Sequence, residues 1–372
     1  MRASGVNDGE LLVLSSVELP SWVPPVDDAV SAIATTLDQK PRWTPRSFRV
    51  ATVFVALCCG SLVAYALLRG TGEASAVIAG SLGVAAFIGA WLCKRADHGT
   101  AASPTLAGMA VMCAATAGYL AVPGDSTAPK LVLAAASCAT ASILAIRWIG
   151  CEVTIFAAVT TFAVLAAMGA SPDLIVPLTT AGAGSILAAA ATTVVTSAGR
   201  LALWASRLPV PPLQGPSGPE CSDDDALRAH AVATGLICGS SAAAALGATL
   251  ASVDATPVGA VFATVVGLVM VLRAGTHVDL IQSVALILCG TTSIVAAFVW
   301  SVNAHPHYAH WIALVAATLG AALTRLSATG APAHLSPLVR RCGELIEYAA
   351  LATVIPLTCL LSGVFGAVRD LA

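Results

Sequence analysis

Charge is what this chain has least of. Asp, Glu, Lys and Arg make up 10% of its 372 residues, against roughly 25% in soluble domains, too few to cover a water-facing surface or clothe a large soluble core. Aromatic residues are sparse as well, and no basic stripe with interleaved aromatics runs through the chain, which argues against a nucleic-acid partner. Ionisable residues are missing from the middle of the long apolar runs, where pumps and ion-coupled carriers keep proton relays and ion sites. No nucleophile elbow, phosphate loop, HExxH or paired-carboxylate pattern occurs, so the residues offer no catalytic machinery and no cofactor site. The 11 cysteines form no CxxC and no Cys/His metal spacing. Cys58, Cys59, Cys113, Cys138, Cys238, Cys289 and Cys359 sit within apolar runs, where they act as small apolar residues. A signal peptide is absent too, since Met1–Val13 is polar and acidic.

Long hydrophobic runs fill the space that charge leaves. Eleven of them lie at 50–68, 74–92, 105–122, 131–147, 153–170, 176–198, 230–250, 256–272, 280–300, 308–324 and 346–366. Runs near 18 residues suffice to cross the hydrocarbon core of about 30 Å as helices, and lipid requires each to satisfy its own backbone. The expected fold class is therefore an all-α polytopic membrane protein with about eleven transmembrane helices and a short cytoplasmic N-terminal segment. Of the 18 Lys and Arg residues, only Arg69, Lys130 and Arg369 fall in alternate gaps assigned to the outer side. The positive-inside rule then puts the N-terminus in the cytoplasm and the C-terminus outside the inner membrane.

Two regions follow: a cytoplasmic lead-in, 1–49, and a transmembrane domain, 50–372, with a long cytoplasmic loop at 199–229. In the lead-in, Val26–Leu37 has the spacing of an amphipathic helix, with Asp27 and Asp28 in its first turn, where they complement the helix dipole. Arg42 and Trp43 precede the first run, the tryptophan as an interfacial anchor. The loop carries a proline-rich stretch, LPVPPLQGPSGP, and the acidic run Asp223–Asp225, which reads as a solvated flexible segment. Before the last run stand Arg340, Arg341, Glu344 and Glu347; on a helix Arg340 and Glu344 share a face, and Glu347 does so more loosely. This patch and the Val26–Leu37 helix are candidate contacts for cytoplasmic parts of neighbouring subunits, the alternative being that the arginines only orient the last span.

Small residues recur at four-residue spacing in the seventh run (Gly235, Gly239, Ala243, Gly247) and the eighth (Gly259, Ala263, Gly267). Such stripes let helix backbones approach closely, either between chains or within one, and alanine-rich spans generate them readily, which favours packing within the chain. His305, His307 and His310 form HxHxxH in an outer gap. Pro306 breaks the geometry and no carboxylate or thiol completes a metal set, so the stretch reads as a solvated interfacial loop. Glu152 beside Arg147 reads as a local ion pair at the headgroup level.

Four blocks carry a resemblance: DGELLVL (8–14); PPVDDAVSAIA (24–34) with RWTP (42–45); RLALWASRLPVPPL (200–213) with the acidic run; and LSPLVRRCGELIEYAALATVIPL (335–357) with GVFGAVRDL (363–371). In this order and spacing they resemble the EccD family, membrane subunits of the ESX (type VII) secretion systems of mycobacteria and related actinobacteria. The resemblance implies a non-catalytic inner-membrane scaffold, associated with the export channel and needing no nucleotide of its own. It also implies assembly with EccB, the EccC ATPase and EccE, with a second copy of itself in each protomer and with membrane lipids. The family begins with a complete ubiquitin-like domain, of which only the last strand resembles residues 8–14; contacts made through that domain, notably to the ATPase, are therefore in doubt here. A permease-like transporter of a small or amphiphilic solute is the alternative. A repeat, a broken helix in each half or a buried charge would favour it.

Overall fold

The computed structural model describes residues 58–69, 73–96, 102–205, 223–254, 256–277, 279–328 and 337–363. The sequence expectations for the lead-in, Asp27, Asp28, Arg42 and Trp43 included, lie outside the described residues. Eleven α-helices are present among them, one for each apolar run: α1 (Cys58–Arg69), α2 (Glu73–Arg95), α3 (Ala102–Leu120), α4 (Thr127–Leu144), α5 (Val153–Ala170), α6 (Thr180–Ala205), α7 (Asp223–Ser252), α8 (Pro257–Ala274), α9 (Leu280–Ala304), α10 (Ala309–Ala328) and α11 (Pro337–Leu361). Seven of them, α2 and α4–α9, are long and apolar enough to cross a membrane by length and composition. The others differ for local reasons. α3 is diluted by Ser, Thr, Gly and Pro104, and α11 opens on a charged turn, which confines its apolar part to Leu345–Leu361.

Chemistry at the helix ends explains the boundaries. Proline stands at the first position of α8, where its missing N–H costs nothing, and Thr256 Oγ1 accepts a hydrogen bond from the Gly259 amide at 3.1 Å. Asp279 caps α9 in the same way, accepting from the Ile281 amide at 3.0 Å. The chain leaves α4 through a π-helical turn, Ala145–Ile149, closed by Gly150 at φ 68°. This left-handed conformation is one that a side chain at Gly150 would strain.

One expectation needs correction. The inner loop is shorter than 199–229, because α6 continues to Ala205 and Asp223–Ala229 already belongs to α7. Asp223–Asp225 form the first turn of α7, a position at which negative charge complements the helix dipole. Pro356 lies inside α11, five residues before the last. Neighbouring residues in an apolar environment can re-satisfy the backbone group that proline frees.

The bundle is centred on α7. α6 runs along it most extensively, and α5, α8 and α9 also pack against it, while α11 joins through α6 and α8. α6 and α7 bury 56% and 61% of their apolar spans, whereas α2, α4, α5 and α9 bury 17% to 22% and turn large side chains such as Val77, Ile155 and Leu288 outward. A second, smaller core joins α2–α5 around Ala90, Ala107, Ala145 and Phe156. α10 makes few contacts, with α9 and with the short 3-10 turn Pro306–Tyr308 that precedes it.

Alanine and glycine dominate the main core, and the contacts of the small-residue stripes are made within the chain. A Cβ on Gly235 would lie 2.7 Å from the Thr154 carbonyl of α5, and one on Gly239 would run into the Ala158 carbonyl. Two turns further along the same stripe, a Cβ on Gly247 would lie 2.6 Å from both the Gly184 carbonyl and the Ala188 amide of α6. Gly259 of α8 abuts Ala251 of α7, Gly267 faces Gly290 of α9 at a similar approach, and Ala263 is fully buried.

This geometry separates glycines that position helices from those that do not. Gly247→Leu should cost about 3 kcal/mol or more, because backbone rather than a flexible side chain must move. Gly108→Ala, with nothing within 4 Å of its new Cβ, should leave stability unchanged. Thermal unfolding of the detergent-extracted variants decides; equal stability for the two would mean that α6 and α7 are not locked together there.

Candidate functional site

Polar side chains collect at one end of the bundle, the end that the lysine and arginine distribution assigns to the cytoplasm. Five helices meet there: the last turn of α8, the first turn of α9, and α6, α7 and α11 two to three turns in from their nearer ends. Arg273, in the last turn of α8, donates from Nη1 to Glu347 Oε1 of α11 at 3.0 Å and from Nη2 to the Thr196 carbonyl of α6 at 3.3 Å. The two charged side chains are 21% and 15% exposed. Arg273 therefore holds three helices, and its carboxylate partner offsets the cost of withdrawing a guanidinium from water.

The α8–α9 turn carries the network onward. Asp279 accepts from the Ile281 amide through Oδ1, and its Oδ2 lies 3.2 Å from His230 Nε2 and 3.3 Å from Thr234 Oγ1, both on α7. Buried Gln282 donates to Thr234 Oγ1 at 2.9 Å, and Ser283 Oγ donates back to the carbonyls of Ala274 and His277, each at 3.1 Å. His277 sits in the middle of this turn with a buried Nε2 that has no hydrogen-bond partner, as has the Arg273 Nε. Burial pushes the His277 imidazole below its ordinary value; nearby Gln282 and Asp279 work against the shift, and Arg273 adds to it.

The arrangement pairs opposite charges and caps helices; it sets no base against a nucleophile. Among the described residues no group of three His, Cys, Asp or Glu side chains could hold a metal. His305, His307 and His310 are exposed, with His305 near Tyr308 and His310 near Trp311 at ring separations of 6.5 and 5.5 Å. Arg340 and Glu344 lie in the first turns of α11, and Arg341 there is exposed. Glu347, grouped by sequence with Arg340, takes Arg273 of another helix as its partner. Arg273, His277, Asp279 and Gln282 were absent from the sequence candidates. A signal for the first existed: an arginine closing one apolar run and a glutamate opening another, both on the inner side.

Removing one member of the Arg273–Glu347 pair leaves the other buried and unpaired, so Arg273→Ala should destabilise by about 3 kcal/mol. Replacing both by apolar residues, Arg273→Met with Glu347→Leu, should cost less than either single change in a double-mutant cycle; additive losses would show the pair to be uncoupled.

The His277 shift has a pH consequence. Its folded value lies below the unfolded value of about 6.5, so the unfolded chain takes up the proton first. The stability this neutral imidazole contributes is fully present above about pH 6.5 and falls as pH drops toward the folded value. Between pH 7.5 and 5.5 the melting temperature of His277→Gln should therefore decline less than that of the parent; parallel profiles would remove His277 from the account.

A similar sequence and a like fold occur in known proteins. The EccD-like transmembrane domain family matches residues 46–371. The ESX-4 secretion system protein eccD4 of Mycobacterium tuberculosis (strains CDC 1551 / Oshkosh and ATCC 25618 / H37Rv) is 30% identical over 395 residues, spanning 99% of this chain and 83% of that protein. The ESX-1 secretion system protein EccD1 of the same organism is 28% identical, spanning 99% and 81%. Among solved structures, a chain in protomer 1 of the ESX-3 core complex superimposes with a TM-score of 0.69 at 23% identity, covering 98% of this chain and 87% of that one. A chain of the MycP5-free ESX-5 inner membrane complex, State II, gives 0.65 at 18% identity, covering 86% and 79%. At these identities the two structures establish likeness of fold.

Proposed function

This chain belongs to the EccD family of transmembrane proteins, and we propose from that premise that it is a scaffold whose cytoplasmic face gathers the neighbouring subunits of a type VII secretion complex. It is an EccD-type, non-catalytic inner-membrane component of ESX secretion machinery. The observation that carries this reading is the family match over residues 46–371, nearly the whole transmembrane domain. The polar junction supports the scaffold role. The connections 206–222 and 275–279 join helices that it ties together, and 329–336 leads into α11, which it also holds.

In this reading all eleven helices cross the membrane, with the N-terminus inside and the C-terminus outside. Residues 1–49 form the lead-in to a transmembrane domain at 50–372. The partners are EccB, EccC ATPase and EccE type subunits, a second copy of this chain and membrane lipids. Asp27, Asp28, Arg42 and Trp43 in the lead-in, with Arg340, Arg341 and Glu344 on α11, are the proposed contacts. Glu347 contributes indirectly, by fixing α11 to α8.

Affinity isolation of the tagged chain from gently solubilised membranes should recover an EccC-type ATPase, and Arg340→Glu with Arg341→Glu should reduce that recovery severalfold. Normal recovery in the charge-reversed variant would reduce these arginines to orientation signals. A reporter fused after Arg207 should read cytoplasmic and one after Ala372 periplasmic, in the parent and in the variant alike. Both ends on one side would rule out eleven crossings.

A further inference from the structure

Away from the polar junction, α2, α3 and α4 enclose a groove of about 680 Å³ that opens on the outside of the bundle. Its walls are hydrocarbon apart from Ser137, whose hydroxyl is already spent on the Ala134 carbonyl at 2.9 Å. On α2 the groove runs from Ala76 to Phe87, a length of about 16 Å at 1.5 Å per residue. Two glycines, Gly80 and Gly83, form part of its floor. At the inner end the π-helical turn brings Trp148 edge-on to Phe87, with ring centroids 6.4 Å apart.

Shape and charge together select an occupant. An alkyl chain, a single methylene wide, can lie along the whole apolar length of the groove. Basic groups surround the inner end. Lys94 and Arg95 close α2 and Arg147 precedes Trp148, all three exposed. Lys94 reaches the α4–α5 turn, where its field acts on Cys151, and the Arg95 guanidinium lies 4.2 Å from the Trp91 ring centroid. Glu152 is the carboxylate at this turn, which leaves the mouth net positive.

We infer that this groove is a binding site for one anionic phospholipid of the inner leaflet, with an acyl chain along α2–α4 and the phosphate among Lys94, Arg95 and Arg147. The site belongs to a single chain and stands independently of the scaffold reading. Gly80 offers a means to close it without disturbing the helices, because a Cβ there meets nothing within 4 Å.

The test is native mass spectrometry of the full-length protein after exchange into mixed phosphatidylglycerol and phosphatidylcholine of equal chain length. The parent should retain phosphatidylglycerol at least fivefold over phosphatidylcholine. Gly80→Leu should lose both to background with unchanged helicity and elution, and Lys94→Gln with Arg147→Gln should keep a lipid but lose most of the preference. Equal retention by the parent and Gly80→Leu, or no headgroup preference in the parent, overturns the site. A photo-crosslinking benzoylphenylalanine at Val84, which also lines the groove, supplies an arm that needs no closing variant. A lipid adduct supports the inference, and a polypeptide adduct means that a helix of another chain occupies the groove.

Discussion

Close approach of backbones along α7 is the constraint on which the rest of this bundle depends. In hydrocarbon, apolar side chains gain nothing by leaving lipid for protein, so helices associate through contact packing and polar bonds instead. Contact packing rewards the absence of side chains. Gly235 and Gly239 of α7 admit α5, Gly247 with Gly184 admits α6 further along the same stripe, and Gly259 brings α8 against its end. Once α7 is surrounded in this way, α9 and α11 take positions set by α8. The large residues are free to face lipid, which is why so many lie exposed on α2, α5 and α9.

Polar bonds supply what packing cannot, and they are concentrated at the inner end. α11 makes few contacts for its length, and Arg273 anchors it by one guanidinium shared between Glu347 and the α6 backbone. Asp279 serves the neighbouring turn twice, as a helix cap and as an acceptor from α7. The ion pairs lie toward one end of the bundle, and among the described residues the buried core clusters are uncharged.

The bundle also divides its labour. The α5–α9 and α11 core is dense and built of small residues, while α2–α4 pack loosely enough to leave a groove. Density suits the part that must hold several inner connections in register. Looseness toward the lipid lets the remainder take a lipid chain as part of its structure.

Number and order of the helices were legible from residue chemistry alone, because a bilayer turns a run of apolar residues into a helix. Family membership was legible too, in the blocks around 200–213 and 335–357. Boundaries were legible only approximately: the Asp223–Asp225 turn and the extension of α6 to Ala205 depend on helix continuation into segments whose composition reads as loop. What the tertiary structure alone decided is which faces meet. The four-residue stripes of α7 are compatible with contact to any helix, and only the fold assigns Gly239 to α5 and Gly247 to α6. Arg273 and Glu347 are 74 residues apart, and no local pattern couples an arginine at one helix end to a glutamate at another. That pairing exists because packing around α7 brings the two ends to one place, where each charge is the cheapest partner for the other.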